Sequence, residues 1–186
     1  MLKCPLFFTK KGMKKIALIS DNHSYYGDEV TEHIIGSDEI WHAGDIGDLG
    51  SISKFREMAI FRGVYGNIDD QSVKDIIPLN NIFFCEGIKV FMTHIGGYPG
   101  KYNARVYKII KDEKPNLYIC GHSHICKVMP DKANNLLHMN PGSYGHQGFH
   151  KMRTILKFCI EQGKILNLVV IELGLRGFID PNTRQL

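Results

Sequence analysis

Short apolar runs that stop abruptly at polar, metal-competent residues recur along this chain. Ile16-Ala17-Leu18-Ile19-Ser20 is continuous rather than alternating, the pattern of a strand buried on both faces, and it ends in Asp21-Asn22-His23. Glu39 to Ala43 predicts a second strand ending in Gly44-Asp45, and Phe61 to Tyr65 a third ending in Gly66-Asn67-Ile68-Asp69. Ile82 to Phe84 and Ile88 to Thr93 flank Cys85-Glu86-Gly87 as in a hairpin, and the second run stops at His94. Leu117 to Cys120 predicts a further strand, closed by Gly121-His122-Ser123-His124. Two histidines one residue apart at a strand end point the same way, because strand side chains alternate with period two.

Helical spacing lies between these runs. Asp28 to Ile35 places Val30 and Ile34 one turn apart and stops at Gly36. Ser51 is positioned to cap a helix with Ile52, Phe55, Met58 and Ala59 on one face. From Lys101 to Lys111, an apolar stripe of Tyr102, Val106, Ile109 and Ile110 opposes a basic face of Lys101, Arg105 and Lys108, and Pro115 ends the helix. Later, Asn140-Pro141-Gly142-Ser143 predicts a turn. Thr154 to Cys159 is expected to pair with Ile165 to Ile171 and reads as part of a second sheet.

At 186 residues and 44% apolar content the chain can bury one sizeable core. Residues 13–186 are therefore expected to form a single domain, after a loose extension over residues 1–12. No run approaches the roughly 18 apolar residues of a membrane span, and Met1 to Lys11 lacks the parts of a signal peptide. The five cysteines are odd in number, widely spaced and without a CxxC, which argues against a disulfide framework or a thiolate zinc site and for a cytoplasmic protein. A net charge of +4 suits anionic substrates but falls short of a nucleic-acid-binding composition.

What changes the picture is where the apolar runs end. In open α/β sheets the strand carboxyl ends form the ligand crevice, so Asp21, His23, Asp45, Asn67, His94, His122 and His124 can meet there. Each of these alone fits an ordinary turn; the succession does not. Glycine beside Asp45, Asn67 and His122 suits backbone that must turn sharply and approach closely. Two carboxylates, a carboxamide and four imidazoles suit first-row ions such as manganese, iron, cobalt, nickel or zinc, and seven ligands are too many for one tetrahedral site. Two divalent ions against two aspartates leave roughly +2, a site for an anion, with phosphate esters the obvious class.

With Asp21-x-His23, Gly44-Asp45, Gly66-Asn67-x-Asp69, His94 and Gly121-His122-x-His124 in this order, the chain resembles the calcineurin-like metallophosphoesterases, and most of all their short, single-domain prokaryotic phosphodiesterase branch. The similarity runs from about Lys14 to at least Ser143. It implies a four-layer α/β/β/α sandwich with a dinuclear centre at one edge of the paired sheets. Asp21, His23, Asp45 and His124 would hold one divalent ion, and Asp45, Asn67, His94 and His122 the other, with Asp45 bridging. Manganese is the leading candidate for both. The implied reaction is in-line attack of a metal-bridging hydroxide on phosphorus, with Asp45, Asn67 and His94 also serving catalysis. The same resemblance admits a non-catalytic scaffold, since a eukaryotic retromer subunit shares the fold, and less readily a nuclease.

Three positions depart from the family pattern. Ile68 stands where family phosphatases often carry a proton-donating histidine, His94-Ile95-Gly96-Gly97 replaces a Gly-His continuation, and Ser24 replaces a glycine. None is a ligand. His42 is expected to be a packed or outer imidazole and Asp69 structural. Tyr144, His146 and His150 are expected to form a surface loop outside the site, and Trp41, Phe91 and Tyr118 to be core.

Overall fold

The computed structural model describes residues 12–177; the expected loose extension, but for Gly12, lies outside them. Two five-stranded sheets face each other. The first has the order β10-β9-β1-β2-β3 and the second β4-β5-β6-β8-β7. In the first sheet β1 (Lys14–Ile19), β2 (Glu39–His42) and β3 (Ile60–Gly63) run parallel, linked by α1 (Asp28–Ile34) and α2 (Gly50–Met58). The second sheet holds the antiparallel pair β4 (Asn80–Cys85) and β5 (Ile88–Thr93), then β6 (Leu117–Ile119) parallel to β5. The short helix α3 (Gln71–Lys74) precedes β4, and α4 (Ala104–Glu113) joins β5 to β6.

Burial explains why β1 reads as a continuous apolar run. Ile16 and Leu18 point between the sheets, where they pack with Trp41, Val90, Met92, Ile119, Leu156 and Phe158. Ala17 and Ile19 point outward beneath α1 and α2, against Val30, Ile34, Ile52 and Phe55. Phe91 and Tyr118 face Val106 and Ile110 of α4 on the outer side of the second sheet. The result is the α/β/β/α sandwich. Each such fully buried aliphatic side chain contributes about 1.5–3 kcal/mol, so the three clusters hold the layers in one register.

Three sequence expectations need correction. The late strands, β9 (Met152–Glu161) and β10 (Lys164–Leu175), do pair antiparallel, but β9 then pairs with β1, so they extend the first sheet. The second sheet is completed instead by the hairpin β7 (Cys126–Asp131) and β8 (Leu136–Pro141), which lacks a clear apolar signature because β7 is a half-exposed edge strand containing Pro130. Ser51 is not the cap of α2: that position is Leu49, and the Ser51 hydroxyl donates to Asp48 O at 2.6 Å from within the helix. Met58 is also 38% exposed, because α2 ends there and turns it off the buried face.

Candidate metal centre

The carboxyl ends of β1, β2, β5 and β6, with the loop after β3, converge on one edge of the sandwich. Backbone pairing continues past the strand ends: Asp21 N donates to Gly44 O at 2.9 Å, His23 N to Asp45 O at 3.1 Å, and Gly121 N to His94 O at 3.1 Å. The two sheets are joined where His122 N donates to both carboxylate oxygens of Asp21, at 3.1 and 3.2 Å. Close approach dictates glycine at two of these turns. A Cβ on Gly66 would collide with Asp45, and one on Gly121 with the Ser20 hydroxyl.

Asp21, His23, Asp45, His122 and His124 all adopt left-handed backbone, with φ between 49° and 68°. Such conformations cost of order 1–3 kcal/mol each for residues other than glycine and cluster at functional sites. Asp and His enter this region more readily than most residues, but five together at one edge must be held there by the surrounding tertiary contacts.

The side chains fall into two groups that share Asp45. Asp21, His23, Asp45 and His124 each offer one atom within 4.8 Å of the others, as do Asp45, His94 and His122. Asn67 lines a cleft beside His94. Asp21, Asp45 and His94 are buried, while His122 and Asn67 are exposed. His94 Nδ1 lies 2.7 Å from Ala43 O and so carries the proton, leaving Nε2 as a lone pair 3.1 Å from Asp45 Oδ1. That buried nitrogen has no hydrogen-bond partner. Burial would lower the His94 pKa, but Asp45 and Asp21 outweigh it and raise it: their carboxylates demand a cation there, a proton or a metal ion. Burial holds the His23 and His122 pKa values below the usual range, so both present neutral rings.

His124 is positioned by a contact that no local pattern in the sequence marks. His150 Nε2 lies 3.2 Å from Gly145 O and must donate to it; its Nδ1 then accepts from His124 Nδ1 at 3.2 Å. The remaining His124 nitrogen, Nε2, faces Asp21 Oδ1 at 3.2 Å and His23 Nε2 at 3.3 Å. Imidazole nitrogens and carboxylate oxygens converging on one another make a donor set that fits divalent first-row ions. His150 therefore does not belong to a mere surface loop, and Tyr144 is fully buried in the core under α2. No local pattern marks His150, which the fold alone brings against His124. Changing His150 to alanine should weaken manganese binding about 10–100-fold by titration calorimetry, with little change in the apoprotein melting temperature.

Asp69 accepts from Gly47 N at 2.6 Å and Gly66 N at 2.7 Å, tying together the loops after β2 and β3. His42 is buried between Asn22 Oδ1 at 2.9 Å and Gly44 N at 3.1 Å, and desolvation lowers its pKa to about 3, so it braces the Asp21 and Asp45 turns as a neutral ring. The basic face of α4 is not a free stripe: Lys108 pairs with Asp112 at 2.7 Å, and Arg105 turns toward Asn80. No helix among the described residues is long and apolar enough to cross a membrane.

Comparison with known proteins finds relatives over most of the chain. A probable metallophosphoesterase of Methanocaldococcus jannaschii is 26% identical over 174 residues, covering 89% of this chain and 86% of that protein. Among solved structures, an archaeal phosphodiesterase superposes with a TM-score of 0.65 at 22% identity, over 84% of this chain and 99% of its own. A single mutant of Vps29 from Entamoeba histolytica gives 0.67 at 12% identity, over 86% and 99%. The calcineurin-like phosphoesterase superfamily domain matches residues 13–163, from the foot of β1 through the turn after β9 and so across every strand end that carries the cluster; the chain belongs to that family.

Proposed function

We propose that this protein is a dinuclear metal-dependent phosphodiesterase, with Asp21, His23, Asp45 and His124 holding one divalent ion and Asp45, Asn67, His94 and His122 the other. The observation that carries the reading is the pair of ligand groups sharing Asp45. When bound, two such ions supply Lewis acidity toward phosphoryl oxygens and a nucleophilic oxygen at neutral pH.

The chain's own residues do the rest. His94 and His124 are held in the ligating tautomer by Ala43 O and by His150. Asp45 is anchored by Ile68 N at 3.1 Å, which leaves its second oxygen toward His23. Ile68 has no proton to give a departing alkoxide, so esters with good leaving groups are favoured. The preference for diesters is supported by room for a second substituent in the cleft beside Asn67 and His94, and by the likeness to the archaeal phosphodiesterase.

The test is hydrolysis of bis-p-nitrophenyl phosphate against p-nitrophenyl phosphate with manganese. Metal-dependent cleavage is expected for both, faster for the diester. Bound metal without cleavage of either ester would overturn the enzymatic reading in favour of a non-catalytic scaffold.

A further inference from the structure

Next to His94 and Asn67 opens a cleft of about 280 Å³ whose walls include Tyr65, Leu79, Ile95 and Arg105. This is just below the usual range of ligand-pocket volumes, room for one substituent rather than a whole ligand. Arg105 is the cationic group among its lining residues. Its Nη1 donates to Asn80 Oδ1 at 2.6 Å, and its Nη2 to Thr93 Oγ1 at 3.2 Å and Ile95 O at 3.1 Å. All three acceptors are neutral. A guanidinium has five N–H donors, so these bonds aim the group without exhausting it.

Among the described residues its charge has no carboxylate partner. Arg62, Lys89, Lys108 and Arg153 each pair with a carboxylate, whereas none among the described residues lies within 4.0 Å of an Arg105 nitrogen. Helix stability does not account for the position either. Arg105 is in the first turn of α4, where the helix dipole disfavours a cation and no acidic residue offsets it. An oriented, uncompensated guanidinium beside a polar metal centre, across a largely apolar gap, is a receptor for an oxyanion carried on the far side of an apolar group.

We infer that this cleft is a specificity subsite, and that the preferred substrates are phosphodiesters in which one substituent carries a second oxyanion, a phosphate or a carboxylate, that docks on Arg105. The inference rests on the phosphodiesterase reading and narrows its substrate class. No covalent step is added; Arg105 binds and positions.

The test compares thymidine 5′-(p-nitrophenyl phosphate) with its 3′-phosphorylated and 3′-O-succinylated forms, using the manganese-loaded full chain. The 3′-phosphate or the succinyl carboxylate should raise kcat/KM about tenfold through KM, and that ratio should fall to about one in both Arg105→Ala and Arg105→Gln. The glutamine variant retains a hydrogen-bonding side chain and guards against a folding defect, which melting temperature reports directly. No advantage from either anion in the wild type, or an advantage that survives in both variants, would overturn the subsite. Should the wild type cleave no diester, the phosphodiesterase reading fails separately. Equilibrium dialysis of thymidine 3′,5′-bisphosphate against thymidine 5′-monophosphate then reads the subsite by itself: tighter bisphosphate binding lost in Arg105→Gln supports it, and equal binding overturns it.

Discussion

Replacing Asp45 with asparagine is expected to lower metal-dependent diester cleavage roughly 10³-fold or more. The change is nearly isosteric, and the amide oxygen can still accept from Ile68 N as the carboxylate does at 3.1 Å. What disappears is a negative charge placed between the two groups, with one oxygen 3.1 Å from His94 Nε2 and the other 3.8 Å from His23 Nε2. An amide NH2 would also direct protons at an imidazole lone pair that a cation needs. Burial would raise the Asp45 pKa, but His94, Ile68 N and His23 together lower it, so the folded apoprotein favours the carboxylate and the variant should melt slightly earlier. Stabilisation by added manganese should shrink as well. Metal content after desalting and the initial rate decide the matter: a variant that retains two ions and full activity would remove Asp45 from its bridging role.

The second large effect is a gain. Ile68→His should raise hydrolysis of dialkyl phosphates about 10²-fold while changing bis-p-nitrophenyl phosphate turnover far less, because only the poor leaving group needs a proton. Ile68 is 43% exposed, so the substitution opens no core cavity, and the backbone nitrogen that holds Asp45 stays in place. The ratio of alkyl to aryl rates, followed from pH 5.5 to 8, is the readout. A ratio unchanged by the substitution would mean that the leaving-group proton never limited this protein.

The alkyl-to-aryl ratio and the Asp45 result separate two ways in which a member of this family could lack activity. Loss of metal through a damaged ligand set would depress both ester classes together. A missing proton donor depresses only one. The exposed position of Ile68 beside a buried carboxylate pair makes the second deficiency repairable by a single side chain.

Much of the fold was legible because strand ends and core faces obey local rules. The continuous apolar run of β1 required layers on both sides, and Val30 with Ile34 required a face under which to pack. The β7–β8 hairpin escaped notice because an edge strand with Pro130 has only one face to bury and therefore little hydrophobic pattern. The placement of β9 and β10 in the first sheet escaped for a different reason. Their pairing with each other is local, whereas the pairing of Met152–Glu161 with Lys14–Ile19 is a long-range choice that no short window contains.

The sequence by itself determined the chemistry: which residues end the strands, that they carry oxygen and nitrogen donors without thiolates, and that the order of motifs is that of the family. Only the tertiary structure decided the tautomers, the left-handed backbone at Asp21, His23, Asp45, His122 and His124, the bracing by His150, and the direction of Arg105. The division has a physical cause. Donor identity is a property of one residue, but a lone pair's direction, a ring's proton and an uncompensated charge depend on neighbours that the chain brings together only when both sheets close.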